Sequence, residues 1–186
     1  MKTSTVGRSL ITEFEGLRLT AYRCSANVLT IGVGHTSAAG APKVVAGMTI
    51  TRAEADAILS RDLAKFERAV AAAVNVPVNQ NQFDALVSLA FNIGDGAFTR
   101  STLVKRLNAG DFQGAAEQFA AWNKVNRKAV AGLTRRRAAE AKLFRTAFAA
   151  PVAITPSVPT SVAPEAKPTA PGFLSALLSL FRRKAV

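Results

Sequence analysis

Between residues 15 and 36 the chain reads EGLRLTAYRCSANVLTIGVGHT and places there a carboxylate, its only thiol and its only imidazole. With Glu15, Cys24, Thr30 and His35 so close together, the stretch is either a reactive site or a hairpin whose rare residues fell together by chance. Glu15 ends a predicted helix, SLITEFEG, just before Gly16, with Leu10, Ile11 and Phe14 on its core side. Such apolar neighbours disfavour a charged carboxylate and keep the acid protonated, as general-acid chemistry requires. A solvated Glu at a helix end is the plain alternative. An unperturbed thiol is mostly neutral at pH 7, and Arg18 and Arg23 stand close enough in sequence to favour the thiolate. The alternative for Cys24 is a small buried hydrophobe. His35 reads as a hairpin-supporting hydrogen-bonder. With one Cys and one His, neither an internal disulfide nor a His/Cys metal cluster is available, so no metal or cofactor is expected.

The elements that must position these residues are mostly helical. Thr51 and Glu54 form a capping box ahead of Ile58, Leu59, Phe66, Val70 and Val74 at helical spacing. A second helix runs from Asn79 to a stop at Gly94, and Asp111 caps a third with Phe112, Ala115, Phe119 and Trp122 inward. A last helix covers 134–148. Residues 20–36, with Val28, Ile31 and Val33 punctuated by Gly32 and Gly34, read as one small hairpin, and Tyr22 as a core residue. The expected fold is α+β and mainly helical, with a large helical lobe, a small β lobe and a substrate cleft between them.

Three segments are expected: a domain over 1–150, a linker over 151–172 with six prolines, and a cationic amphipathic tail over 173–186. On a helix, Ser175 and Ser179 share one face of the tail and its Leu and Phe residues the other. That stripe is too short to span a bilayer and suits an anionic membrane surface, or docks on its own domain. The chain carries 24 Lys and Arg against 12 Asp and Glu, a net +12 that favours a polyanionic partner. A nucleic-acid binder would want exposed aromatics among the basic residues; the one Trp, one Tyr and most of the Phe fall on predicted core faces, so nucleic acid is not the expected partner. The amino terminus lacks the apolar core of a signal peptide, which predicts accumulation in the cytoplasm.

Glu15, Cys24 and Thr30, with FNIGDGAF at 91–98 and GLTRRRAAEAKLF at 132–144, resemble the phage-type lysozymes, the endolysins of glycoside hydrolase family 24, over about residues 8–148. The chain has Glu-Cys-Thr where the family has Glu-Asp-Thr or, in many members, Glu-Cys-Thr. The resemblance implies a bacteriolytic muramidase that cleaves the β-1,4 bond between N-acetylmuramic acid and N-acetylglucosamine in peptidoglycan. It makes Glu15 the acid, has Thr30 hold the attacking water, and gives Cys24 the position of the second acid. It also brings Phe91 and Asn92 to the floor of the cleft, and at least one of Arg135, Arg136 and Arg137 to the substrate's carboxylates. It implies a monomer that waits in the host cytoplasm for a separate hole-forming protein. Lytic transglycosylase chemistry, leaving 1,6-anhydro ends, and a catalytically inactive wall-binding module are the competing readings.

Overall fold

The chain start is tied down before its first helix begins. In the computed structural model, which describes residues 1–24 and 26–147, the Thr3 N–H and hydroxyl donate to Glu67 Oε1 at 2.8 and 2.9 Å, and Lys2 Nζ to Glu67 Oε2 at 2.9 Å. The Ser4 N–H and hydroxyl both donate to Asp84. Ser4 caps α1 (Thr5–Glu15) by accepting from the Gly7 N–H, and Gly16 at φ 81° ends it. The linker and tail expected over 151–172 and 173–186 lie outside the described residues.

Gly7 is where α1 passes against the carboxylate of Asp84. A Cβ there would come within 2.7 Å of Asp84 Cγ and of Thr3 Cγ2. In an exposed helix Gly→Ala gains about 1 kcal/mol. Here the overpacking cost of roughly 1–3 kcal/mol dominates. Gly7→Ala is therefore expected to lower the denaturation midpoint, and a variant as stable as the parent would show that Asp84 yields freely.

The β lobe follows at once. Strands β1 (Arg18–Arg23), β2 (Leu29–Gly32) and β3 (His35–Thr36) form an antiparallel sheet in that order, with Tyr22 opposite Thr30 and Ile31 opposite His35. The expected single hairpin is thus extended by a third strand. Gly32 and Gly34, at φ 64° and 78°, turn the chain back through conformations that other residues rarely adopt. The segment 48–50 lies along β1, with the Ala21 N–H donating to Met48 O and the Ile50 N–H to Leu19 O.

The helical lobe is built on two capping boxes. Thr51 with Glu54 opens α2 (Arg52–Ala73), and Asn79 with Gln82 opens α3 (Gln80–Ile93). Every residue of α3 from Phe83 to Ala90 is buried, so this helix is surrounded by the others, as an apolar run of that kind requires. Ile11, Leu59, Leu63, Val70, Phe98, Leu103, Leu107, Phe119 and Phe144 close around it. Short helices α4 (Asp95–Thr99), α5 (Thr102–Asn108) and α6 (Phe112–Glu117) follow. Asp111 caps α6, which tightens into a 3-10 turn over Gln118–Trp122, leaving Trp122 half-buried.

A second, two-stranded sheet then forms from β4 (Lys124–Val125) and β5 (Lys128–Ala129), turned by Asn126 and Arg127 at φ 50° and 65°. Both turn residues carry the positive φ of a primed hairpin turn. Helix α7 (Ala131–Arg145) begins three residues before the expected 134, because the Val130 carbonyl accepts from the Thr134 N–H at 2.9 Å and draws Ala131–Leu133 into the first turn. It stops at Arg145, where Thr146 is extended at ψ 123°.

Candidate active site

Glu15 stands on the last residue of α1, at the edge of a cavity of about 470 Å³. Phe14 comes from the same turn, Asn92 from the end of α3, and Leu133, Arg135 and Arg136 from the start of α7. Val130, just after β5, lines the cavity as well. The apolar setting expected for the acid is not what surrounds it. Ile11 is fully buried, but Glu15 lies one turn further along, where the core has ended, and its side chain keeps 27% of its exposure. Its Oε1 accepts from Arg136 Nη1 at 2.5 Å. An ion pair holds the carboxylate in place of a hydrophobic wall.

Arg136 is itself held from behind. Its Nε donates to Glu140 Oε1 at 3.1 Å, its Nη2 to the Ser88 carbonyl at 3.3 Å, and its guanidinium lies 5.8 Å from the Phe14 ring centre. Glu140 is fully buried and also accepts from the Ser88 hydroxyl at 2.7 Å and Arg137 Nη2 at 2.9 Å. Burial pushes the Glu140 carboxyl up and the Arg137 guanidinium down, and each charge opposes the other's shift. A row of fixed charges thus runs from the core to the cavity: Arg137, Glu140, Arg136, Glu15.

The three arginines, at least one of which was expected to meet the substrate, part company. Arg135 is exposed and lines the cavity, and Arg136 lines it while carrying Glu15. Arg137 does not reach it: one residue further around the helix, its side chain is 1% exposed and turned to Glu140. Phe91 also departs from its expected place. It packs edge-on against Phe66, with ring centres 5.3 Å apart, because the helical turn that puts Asn92 in the cavity points Phe91 toward α2. Glu140 and Ser88 went unpredicted; the Arg136–Glu140 spacing of four along a helix was the available signal.

The β lobe brings Cys24 and Thr30 together. The Cys24 N–H and the Thr30 hydroxyl both donate to the Val28 carbonyl, each at 3.0 Å. Thr30 is buried and Cys24 half-buried. Hydrogen bonding from the backbone N–H groups of Val28 and Ala26 is the main influence that holds the Cys24 thiol below its ordinary value. Arg18 and Arg23, expected to do this, are otherwise engaged. Arg18 lies 5.1 Å from the centre of the half-buried Tyr22 ring, and Arg23 Nη1 donates to the Asn27 carbonyl at 2.8 Å. Because thiolate alkylates and thiol does not, the iodoacetamide rate of this single cysteine should rise with pH at a midpoint below that of free cysteine. A midpoint at or above free cysteine would contradict the backbone contacts.

His35 is buried beneath the sheet. Its Nε2 donates to the Pro42 carbonyl at 2.9 Å and its Nδ1 lies 2.8 Å from Asp62 Oδ2, so it ties β3 to α2 and to the loop before it. Among the described residues, no group of three His, Cys, Asp or Glu is arranged to hold a metal ion.

Comparison with known proteins agrees with this architecture. A family profile described as phage lysozyme matches residues 12–140. The endolysin of Acyrthosiphon pisum secondary endosymbiont phage 1 is 44% identical over 151 residues, spanning 79% of this chain and 100% of that protein. The endolysin of Salmonella phage P22 is 44% identical over 137 residues, spanning 74% and 94%. Among solved structures, a variant of P22 lysozyme superposes with a TM-score of 0.74 at 42% identity, covering 78% of this chain and 99% of that one. The muramidase domain of SpmX from Asticaccaulis excentricus gives 0.70 at 41%, again covering 78% and 99%. With its helical lobe, its small β lobe and an acid at the end of the first helix, the chain belongs to the phage lysozyme family of glycosidases.

Proposed function

We propose that this chain is an endolysin muramidase that hydrolyses the β-1,4 bond between N-acetylmuramic acid and N-acetylglucosamine in peptidoglycan. The observation that carries the reading is Glu15, a carboxylate at the rim of an open cavity whose direction is fixed by Arg136. Glycan entering the cavity brings its bridging oxygen to that carboxyl group. The acid then protonates the bridging oxygen as an oxocarbenium-like centre develops. Arg136 keeps the carboxyl group aimed throughout.

On the other side of the bond, Thr30 and Cys24 act on the attacking water. The Thr30 hydroxyl spends its hydrogen on the Val28 carbonyl, which leaves its oxygen lone pairs to accept from a water O–H. Cys24, with its thiol held toward the thiolate, orients that water and draws its second proton as a weak base. A water on the face opposite the leaving group gives inversion. Asn92 hydrogen-bonds the glycan, and Arg135 meets its acidic substituents.

In its biological setting the enzyme acts as a monomer and lyses the host at the end of phage infection. No helix among the described residues is long and apolar enough to cross a membrane, which fits an enzyme that waits in the cytoplasm for a separate hole-forming protein. Residues 173–186 would supply any contact with an anionic membrane.

The test is mass spectrometry of fragments released from purified peptidoglycan. Reducing N-acetylmuramic acid ends support the hydrolase. Anhydro ends would place the chain among the lytic transglycosylases, and no product would leave a wall-binding module.

A further inference from the structure

Within the buried run of α3 from Phe83 to Ala90, two side chains are polar, Asp84 and Ser88. They stand one helical turn apart and share a face. Asp84 holds the start of α1 by accepting from the Ser4 N–H at 2.9 Å. A mid-helix serine ordinarily returns its hydroxyl to a carbonyl of the preceding turn, and alanine would suit both the helix and its apolar surroundings better. The Ser88 hydroxyl instead crosses to α7 and donates to Glu140 Oε1 at 2.7 Å.

That contact bears on Arg136, whose three nitrogens each have an acceptor. Nε donates to Glu140 Oε1 at 3.1 Å, Nη2 to the Ser88 carbonyl at 3.3 Å, and Nη1 to Glu15 Oε1. A guanidinium is planar and rigid, so holding two of its nitrogens fixes the direction of the third. Ser88 takes part in both holding contacts, directly through its carbonyl and by way of Glu140 through its hydroxyl. Without the hydroxyl, Glu140 Oε1 keeps only Arg136 and Arg137 as donors, and Oε2 already lies 2.8 Å from Arg137 Nε. The carboxylate can then turn toward Arg137 and draw the Arg136 fork away from Glu15. We propose that Ser88 is a positioning residue for glycan cleavage, setting the plane of the Arg136 guanidinium and through it the aim of the Glu15 acid. The proposal rests on the muramidase reading, in which Glu15 gives its proton to the bridging oxygen. Ser88 itself is fully buried and does not line the cavity.

The test measures fragments and rates of release from purified peptidoglycan for Ser88→Ala, Ser88→Thr and Leu103→Val, each below its melting range. Leu103 is buried on α5 and takes no part in the row of charges. Ser88→Ala is expected to lower kcat roughly tenfold with KM within about twofold, because a misaimed acid impairs the chemical step and not binding. Ser88→Thr keeps the hydroxyl and should recover most of the rate. Leu103→Val should melt earlier with kcat unchanged, which separates lost stability from lost aim. In an Arg136→Met background, Ser88→Ala should cost less than about a further twofold, because the group it positions is gone. An unchanged kcat in Ser88→Ala or a loss carried by KM would overturn the role. So would the same kcat loss in Leu103→Val, a folded Ser88→Thr no better than alanine, or an undiminished further loss in the Arg136→Met background. Should the extra methyl of threonine unfold the chain, the Arg136→Met background decides. Anhydro ends with the same kcat pattern would overturn the hydrolase reading and leave Ser88 in its role, whereas a wild type that releases no product would remove both.

Discussion

Glu15→Gln is expected to lower glycan cleavage by about 10²–10⁴-fold while leaving the fold in place. Glutamine keeps the length of the side chain and an oxygen to accept from Arg136 Nη1, but it has no proton to give the leaving oxygen. The stability cost should be small, because the Glu15 carboxylate is partly solvated and Arg136 retains Glu140 and the Ser88 carbonyl as partners. The release of reducing ends from peptidoglycan, measured beside a thermal melt, checks both halves. A variant that cleaves within a few-fold of wild type would remove Glu15 from the chemistry.

The second large effect is on stability. Glu140→Ala strips the common acceptor from two buried guanidiniums, Arg136 and Arg137, which are 3% and 1% exposed. Removing one partner of a buried ion pair costs about 3–5 kcal/mol, because the remaining charge is stranded out of water. At roughly 2–4 °C per kcal/mol for a domain of this size, the midpoint should fall by ~10 °C. Glu140→Gln preserves the acceptor and most of the shape, and should fall between the two. The same change should cost activity in the protein that remains folded, since Arg136 loses the contact that fixes it behind Glu15. A melt unchanged by Glu140→Ala would mean that water reaches and solvates these guanidiniums.

Much of this fold is legible in the chain because its helix starts are written locally. Thr51 with Glu54 and Asn79 with Gln82 satisfy orphan N–H groups within four residues, so the reading and the structure coincide there. The hairpin at 124–129 was missed because its turn is Asn126–Arg127, without the Gly that usually marks a positive φ. The third strand of the β lobe was missed because two residues of pairing leave almost no pattern. For the site, the helix and hairpin patterns put Glu15 at the end of α1 and Thr30 in β2, while Cys24 falls just past β1. What surrounds them is non-local. The partner of Glu15 lies 121 positions away, and the hydrogen bonds that lower the Cys24 thiol come from backbone groups, which no side-chain pattern reveals. Arg135, Arg136 and Arg137 differ by 100° steps around α7, and only the packing of that helix decides which one enters the core.

The anchors of the chain start also set a schedule. Thr3 and Ser4 are made well before the carboxylates that hold them, Glu67 and Asp84, and Glu15 before the guanidinium that contacts it, Arg136. During synthesis the first helix can meet α2 through Arg8 and Asp56 before α3 emerges, and Glu15 lacks its Arg136 contact until α7 is made. Domains emerge amino end first at about 5–20 residues per second, so the Glu15–Arg136 pair forms only after most of the described domain has been made. Nascent chains and fragments ending before α7 would carry the acid without the charge that directs it.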